Sequence, residues 1–257
     1  MVSKMCRIAS MIVLGTFVFS SAAWAATCSN ASLSGTYGLL KGGTDRAGQP
    51  TTGVSQLTFD STKGTYTGED TSSHDGVITT VPVTGTYTVA SNCTVAAIAL
   101  GDNIAFVVTS TGFFNVNQTT GVTAEGFGVK QGSPTCTNAG VLGRFGFETT
   151  GVFLAGAPAT GPVAFIGELK LTVNPSGEGV ISGHVAGSED GTILTFAEEP
   201  VTGSYTVGAD CKGTLTITPR GESALNFSFV VVNGGKEMLA IETDADTVVI
   251  GTLVKAN

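Results

Sequence analysis

Beyond its first two dozen residues the chain holds no stretch with apolar residues at helical spacing. Short runs of Val, Ile, Thr, Phe and Tyr alternate with polar positions instead, broken about every 8 to 12 residues by Gly, Asn, Asp, Ser or Pro, the pattern of an antiparallel meander. The runs predict strands near 33–41, 53–60, 63–70, 77–82, 84–90, 93–100, 103–109, 111–118 and 121–130, and again near 140–149, 162–173, 178–186, 191–198, 201–208, 211–218, 224–232, 236–243 and 246–255. Within them Leu225, Phe227, Phe229 and Val231 share one face while Asn226, Ser228 and Val230 take the other. Ile104, Phe106 and Val108 stand opposite Ala105 and Val107 in the same way.

An open meander of this length would leave two unpaired edges and a wet apolar face, and closing the sheet on itself removes the edges. The expected fold is therefore all-β, two tandem small antiparallel up-and-down β-barrels of eight or nine strands each; two β-sandwiches are the alternative, because alternation alone does not separate a barrel interior from a sandwich core. A pore-forming membrane barrel is disfavoured. It would use strands of about 9 to 11 residues with aromatic girdles, whereas aromatics are 7% of this chain and it closes on Lys255-Ala256-Asn257.

The division into two follows from a repeat. Cys28 precedes Leu33-Ser34-Gly35-Thr36-Tyr37-Gly38, and Val83-Thr84-Gly85-Thr86-Tyr87-Thr88-Val89 precedes Cys93. Cys136 precedes Val141-Leu142-Gly143-Arg144-Phe145-Gly146, and Val201-Thr202-Gly203-Ser204-Tyr205-Thr206-Val207 precedes Cys211. Equivalent positions lie 108 residues apart at Cys28 and Cys136 and 118 apart at Cys93 and Cys211, as short loop insertions after a duplication would produce. The expected modules are 26–132 and 133–257. Equivalent cysteines should close equivalent loops, which pairs Cys28 with Cys93 and Cys136 with Cys211.

Residues 1–25 read as a secretory signal peptide: Lys4 and Arg7, the apolar run Met11 to Phe19, then Ala23-Trp24-Ala25 as a small-x-small cleavage site. Its removal takes Cys6 and the single tryptophan, leaves four cysteines for an oxidising compartment, and predicts a secreted or periplasmic protein. The mature chain then carries 10 basic and 20 acidic residues, with no basic cluster, which excludes nucleic acid and anionic lipid surfaces as expected partners. No integral membrane segment is expected after cleavage.

The openings Gly35-Thr36-Tyr37 and Gly143-Arg144-Phe145 resemble the glycine-x-aromatic start of lipocalin-like barrels, and Gly64-Thr65-Tyr66-Thr67-Gly68 is similar to a strand of avidin-type barrels. The resemblance implies eight-stranded up-and-down barrels whose open end takes a small molecule. It carries over no binding residue, since the tryptophans of the biotin pocket have no counterpart and the lipocalin position holds Tyr or Phe. The full pattern of cysteines and repeated strands is also similar to exported bacterial tandem-barrel proteins.

Candidate chemistry is sparse. Glu69, Asp70 and Asp75, in the segment Gly68 to Gly76, are hard oxygen ligands of the kind Ca²⁺ takes, although a solvated hairpin explains them as well. Ser73, His74 and Asp75 are consecutive and diverge, so they do not form a triad. Glu198 and Glu199 are adjacent, where a glycosidase needs two carboxylates across a cleft. An active site would require His184 to meet acidic side chains between the modules. The residues expected to line a lumen are Tyr37, Tyr87, Phe145 and Tyr205, at matching repeat positions, with Asn115 and Asn117, which share one face of their strand opposite Phe114 and Val116. The four Asn-x-Ser/Thr triplets, at Asn30, Asn92, Asn117 and Asn226, are read as incidental. The expectation is an exported, non-enzymatic protein without cofactor or metal, binding a small apolar or amphipathic molecule; the alternative is a structural or adhesive envelope protein with filled barrels. A lumen above about 300 Å³ distinguishes the first from the second.

Overall fold

The structure, a computed structural model, describes residues 27–99, 101–157, 160–194 and 200–256. The predicted leader and the pair Glu198-Glu199 lie outside the described residues. Eight strands form a closed barrel in chain order: β1 (Gly35–Thr44), β2 (Pro50–Asp60), β3 (Thr65–His74), β4 (Val77–Val89), β5 (Thr94–Ala99), β6 (Asp102–Val108), β7 (Gly112–Asn117) and β8 (Thr123–Lys130), with β8 pairing back onto β1. The second sheet holds β9 (Gly143–Phe153), β10 (Gly161–Val173), β11 (Gly179–Glu189), β12 (Thr192–Leu194), β13 (Pro200–Val207), β14 (Lys212–Pro219), β15 (Leu225–Val232), β16 (Glu237–Glu242) and β17 (Thr247–Lys255). β10 pairs with both β9 and β11, which closes it into a second eight-stranded barrel with β12 as a short addition on β11. Both barrels are antiparallel and up-and-down, and the sandwich alternative falls.

The two strands expected at 77–82 and 84–90 are one, β4. Proline inside a strand costs a ladder hydrogen bond, but Pro82 sits in the half of β4 that β5 does not reach, since their pairing runs only from Gly85 to Val89. Alternation then decides what each barrel contains. Tyr37, Leu57, Phe59, Tyr66, Tyr87, Phe106 and Phe113 fill the first core, and Phe145, Leu169, Leu171, Ile181, Tyr205, Leu215, Phe229 and Leu253 the second.

Each barrel is stoppered at one end by the same device. A one-turn 3-10 helix (Asn30–Ser32 in the first barrel, Asn138–Val141 in the second) crosses the mouth and drops a fully buried apolar residue, Leu33 or Val141, onto the core. The turn's asparagine accepts from a strand amide, Val89 N to Asn30 Oδ1 at 2.8 Å and Val207 N to Asn138 Oδ1 at 2.8 Å. A buried tyrosine hydroxyl donates to its backbone, Tyr87 to the Leu33 carbonyl at 2.7 Å and Tyr205 to the Asn138 carbonyl at 2.9 Å. Burial pushes the Tyr87 hydroxyl up to about 12, which keeps it a donor at any physiological pH. The disulfides Cys28–Cys93 and Cys136–Cys211 tie the turn's leading segment to the wall, with Cα atoms 4.9 and 4.7 Å apart. Replacing Asn138 with alanine leaves the Val207 amide without its acceptor and is expected to cost about 2 kcal/mol in urea denaturation. A cost below about 0.5 kcal/mol would show that the stopper does not depend on it.

The barrels pack wall to wall. Outward residues of β1, β2 and β8 (Leu40, Val54, Phe127, Val129) meet outward residues of β15, β16 and β17 (Val230, Val232, Leu239, Ile241, Ile250) in a third apolar cluster. Gly38 makes the approach possible: a Cβ there would lie 2.5 Å from the Val232 side chain. Polar contacts frame the seam, with Gln131 Nε2 donating to the Val231 carbonyl (3.1 Å), Lys212 paired with Glu69 (2.6 Å), and the Asp246 amide donating to the Gly76 carbonyl (3.0 Å). Gly38 and Val232 lie toward the stoppered ends and Gly76 and Asp246 at the opposite ends, so both open mouths face the same side.

Candidate functional site

Because strand pairing fixes which residues of the two barrels are equivalent, the open halves can be compared depth for depth. In the first barrel Leu39 pairs with Ser55 and Ser55 with Asp70; in the second Phe147 pairs with Gly167 and Gly167 with Val185. Where the first barrel has Lys41, Ser55 and Asp70, the second therefore has Thr149, Gly167 and Val185. Lys41 Nζ lies 2.9 Å from Asp70 Oδ2, and Ser55 Oγ donates to Asp70 Oδ1 at 2.5 Å, so an ion pair lies along the inner wall of the first barrel, from β1 over β2 to β3. The second barrel has no such pair at these positions. It holds a cavity of about 710 Å³ walled by Phe147, Phe153, Phe165, Val185, Ile217 and Phe227.

One buried carboxyl group belongs to that lining, on the last residue of β16. Glu242 pairs directly with Phe227 across β15 and β16, so both side chains point inward, and Glu242 is only 1% exposed. Its Oε1 has no hydrogen-bond partner. Burial pushes its carboxyl up to about 8, and the Asp244 carboxylate nearby adds to the rise. Asp244 is itself held by Asn226, whose backbone N and Nδ2 both donate to it at 2.7 Å. Glu189, Asp190 and Glu222 complete the lining on its acidic side; burial first and Glu222 second raise Glu189. The position equivalent to Glu242 in the first barrel is Asn117, since Ile104 pairs with Asn117 as Phe227 pairs with Glu242.

None of the six side chains expected to line a lumen lines this cavity. Tyr37, Tyr87, Phe145 and Tyr205 do face inward, but in the stoppered halves, where they are buried as filling: the Tyr37 ring meets Phe59 edge-on with centroids 5.5 Å apart, and the tyrosines of β4 and β13 hold the stoppers. Asn115 and Asn117 do share the inner face of β7, with Phe114 and Val116 outside. Asn115 Oδ1 is buried without a partner in the first barrel, and Asn117 Nδ2 reaches Asp102 at 3.4 Å.

The three calcium candidates go to three different partners: Glu69 to Lys212, Asp70 to Lys41, and Asp75 to Gln49 Nε2 at 2.8 Å. Among the described residues no group of three or more His, Cys, Asp or Glu side chains could hold a metal ion. His74 meets Thr51 (3.1 Å) and Ser73 donates to the Thr247 carbonyl across the seam (2.6 Å), so Ser73, His74 and Asp75 diverge as expected. His184 pairs with Glu168 on the outer face of β11, remote from the seam formed by β15, β16 and β17, so the meeting that an active site would have required does not occur. Among the described residues no helix is long and apolar enough to cross a membrane.

No protein-family model and no curated protein sequence matches the chain. Among solved structures it is similar to a protein of unknown function of the DUF3598 family from Nostoc punctiforme, at 12% identity and a TM-score of 0.25, over 87% of this chain and 95% of that one. It is also similar to a porin-like protein from Bacteroides uniformis, at 9% identity and a TM-score of 0.23, over 84% of this chain and 95% of that one.

Proposed function

We propose that this is an exported, non-enzymatic binding protein whose second barrel takes up a small apolar or amphipathic molecule, as lipocalin-like barrels do at their open end. The observation that carries the reading is the cavity of about 710 Å³ in the open half of that barrel, within the range of about 300 to 1,000 Å³ used for small-molecule sites. Its wall is built of Phe and aliphatic side chains, with polar groups gathered at one side. The first barrel, whose inward carboxylate is already paired with Lys41, serves as the partner that anchors the second. Export is supported by the two disulfides and the leader pattern in the sequence.

The test is a fluorescence titration with the apolar probe N-phenyl-1-naphthylamine. One site per chain is expected, and Val185→Trp, which places an indole in the lumen, should weaken binding at least tenfold while circular dichroism stays unchanged. A parent protein that leaves the probe dark would return the reading to that of a structural spacer.

A further inference from the structure

We infer that the molecule bound in the second barrel carries a basic amine, whose ammonium group pairs with Glu242 inside the lumen; this rests on the binding reading above and narrows it. A buried carboxyl group is normally matched with a cation or satisfied by donors, because leaving it bare in an apolar setting is costly. The first barrel follows the rule. Its inward carboxylate, Asp70, receives a lysine from the same chain, Lys41, and a hydroxyl from Ser55.

In the second barrel the lysine position is Thr149, and Glu242, which lines the cavity, is left with a buried Oε1 that has no hydrogen-bond partner. Every charged group that lines the space is acidic: Glu189 from β11, Asp190 from the turn after it, Glu222 from the loop after β14, Asp244 from the turn after β16 and Glu242 itself, with no Lys, Arg or His among the described lining residues. That field draws cations in and turns carboxylates away. The Phe and aliphatic walls accept the apolar remainder of the molecule. The ligand's ammonium thus gives Glu242 the kind of partner that Lys41 gives Asp70, at a different point of the wall.

The pairing has a proton balance. In the empty lumen burial keeps the Glu242 carboxyl protonated near neutral pH; when R–NH₃⁺ enters, the O–H bond of the carboxyl breaks, its proton passes to solvent, and a carboxylate–ammonium pair remains.

The experiment compares dodecylamine, dodecanol and dodecanoate on the full mature chain by isothermal titration calorimetry at pH 7, in two buffers of different ionisation enthalpy. The amine is expected to bind at least tenfold more tightly than the alcohol, and the acid least. Amine binding should release close to one proton and alcohol binding none, a readout that does not depend on any variant folding. Glu242→Gln should abolish both the preference and the proton release while still binding dodecanol. Equal affinities for amine and alcohol, or an amine preference that survives Glu242→Gln, would overturn this inference and leave the binding reading standing; no heat with any of the three would overturn both.

Discussion

Glu242→Gln is expected to make the protein more stable than its parent at pH 8, by up to roughly 4 kcal/mol, and to leave the two within about 1 kcal/mol of each other near pH 4.5. The sign follows from where the carboxyl is neutral. In the unfolded chain it titrates near its ordinary value of 4.5, and in the folded chain near 8. Between those values the folded state holds a proton that the unfolded state has released, so raising the pH favours unfolding; below 4.5 both states are protonated, and above 8 both are ionised and the loss is complete. Glutamine has no proton to lose, so the loss disappears. Burial also raises Glu189 and Glu237, and they leave a residual slope of the same sign in the variant. Urea midpoints at half-unit steps from pH 4.5 to 8.5 measure the divergence. Two curves that run parallel would mean that Glu242 is hydrated and ionised in the folded chain.

The Cys136→Ser/Cys211→Ser double variant should lose roughly 4 kcal/mol, because opening a loop of 75 residues restores that much chain entropy to the unfolded state. Cys28→Ser/Cys93→Ser opens 65 residues and should lose almost as much. With a urea dependence of about 2 kcal/mol per molar, either change lowers the midpoint by about 2 M. The two losses fall on different bodies: each bond fastens the stopper of its own barrel, so the first variant should empty the lumen of the second barrel on heating while the first barrel's core persists longer. Single-tryptophan reporters at Phe113 and Phe229, one in each core, would separate the events. Midpoints within about 0.3 M of the parent for both variants would mean that the stoppers hold without sulfur.

How much of this was legible in the sequence depends on the half of each barrel. The stoppered half is written twice, and the repetition of Cys28, Tyr87 and Cys93 in Cys136, Tyr205 and Cys211 carries the two disulfides and the two barrels together, while the pairing of Asn30 with Asn138 shows only in the fold. The open half is where the copies part, at Lys41 against Thr149, Asp70 against Val185 and Asn117 against Glu242. What recurs in these copies is what holds each one shut, and the recurring aromatics Tyr37, Tyr87, Phe145 and Tyr205 belong to it. Glu242 had a signal of its own: in the strand expected at 236–243 it shares parity with Met238 and Ala240, so the alternation that placed those two in the core placed a carboxyl there as well. The cavity had none, since an open space is made by what is missing, and Gly167 and Val185 become a void only when the register sets them where the sister barrel has Ser55 and Asp70.

Confining the covalent and hydrogen-bonded fastening to one pole has a consequence for what the other pole can become. Substitutions at the mouth need not disturb the knot that keeps the wall closed, so the two open halves can diverge while both fastenings stay the same. The same separation makes the second mouth a place where side chains can be exchanged by hand, with the sister barrel supplying, at each depth, a second version of the same wall for comparison.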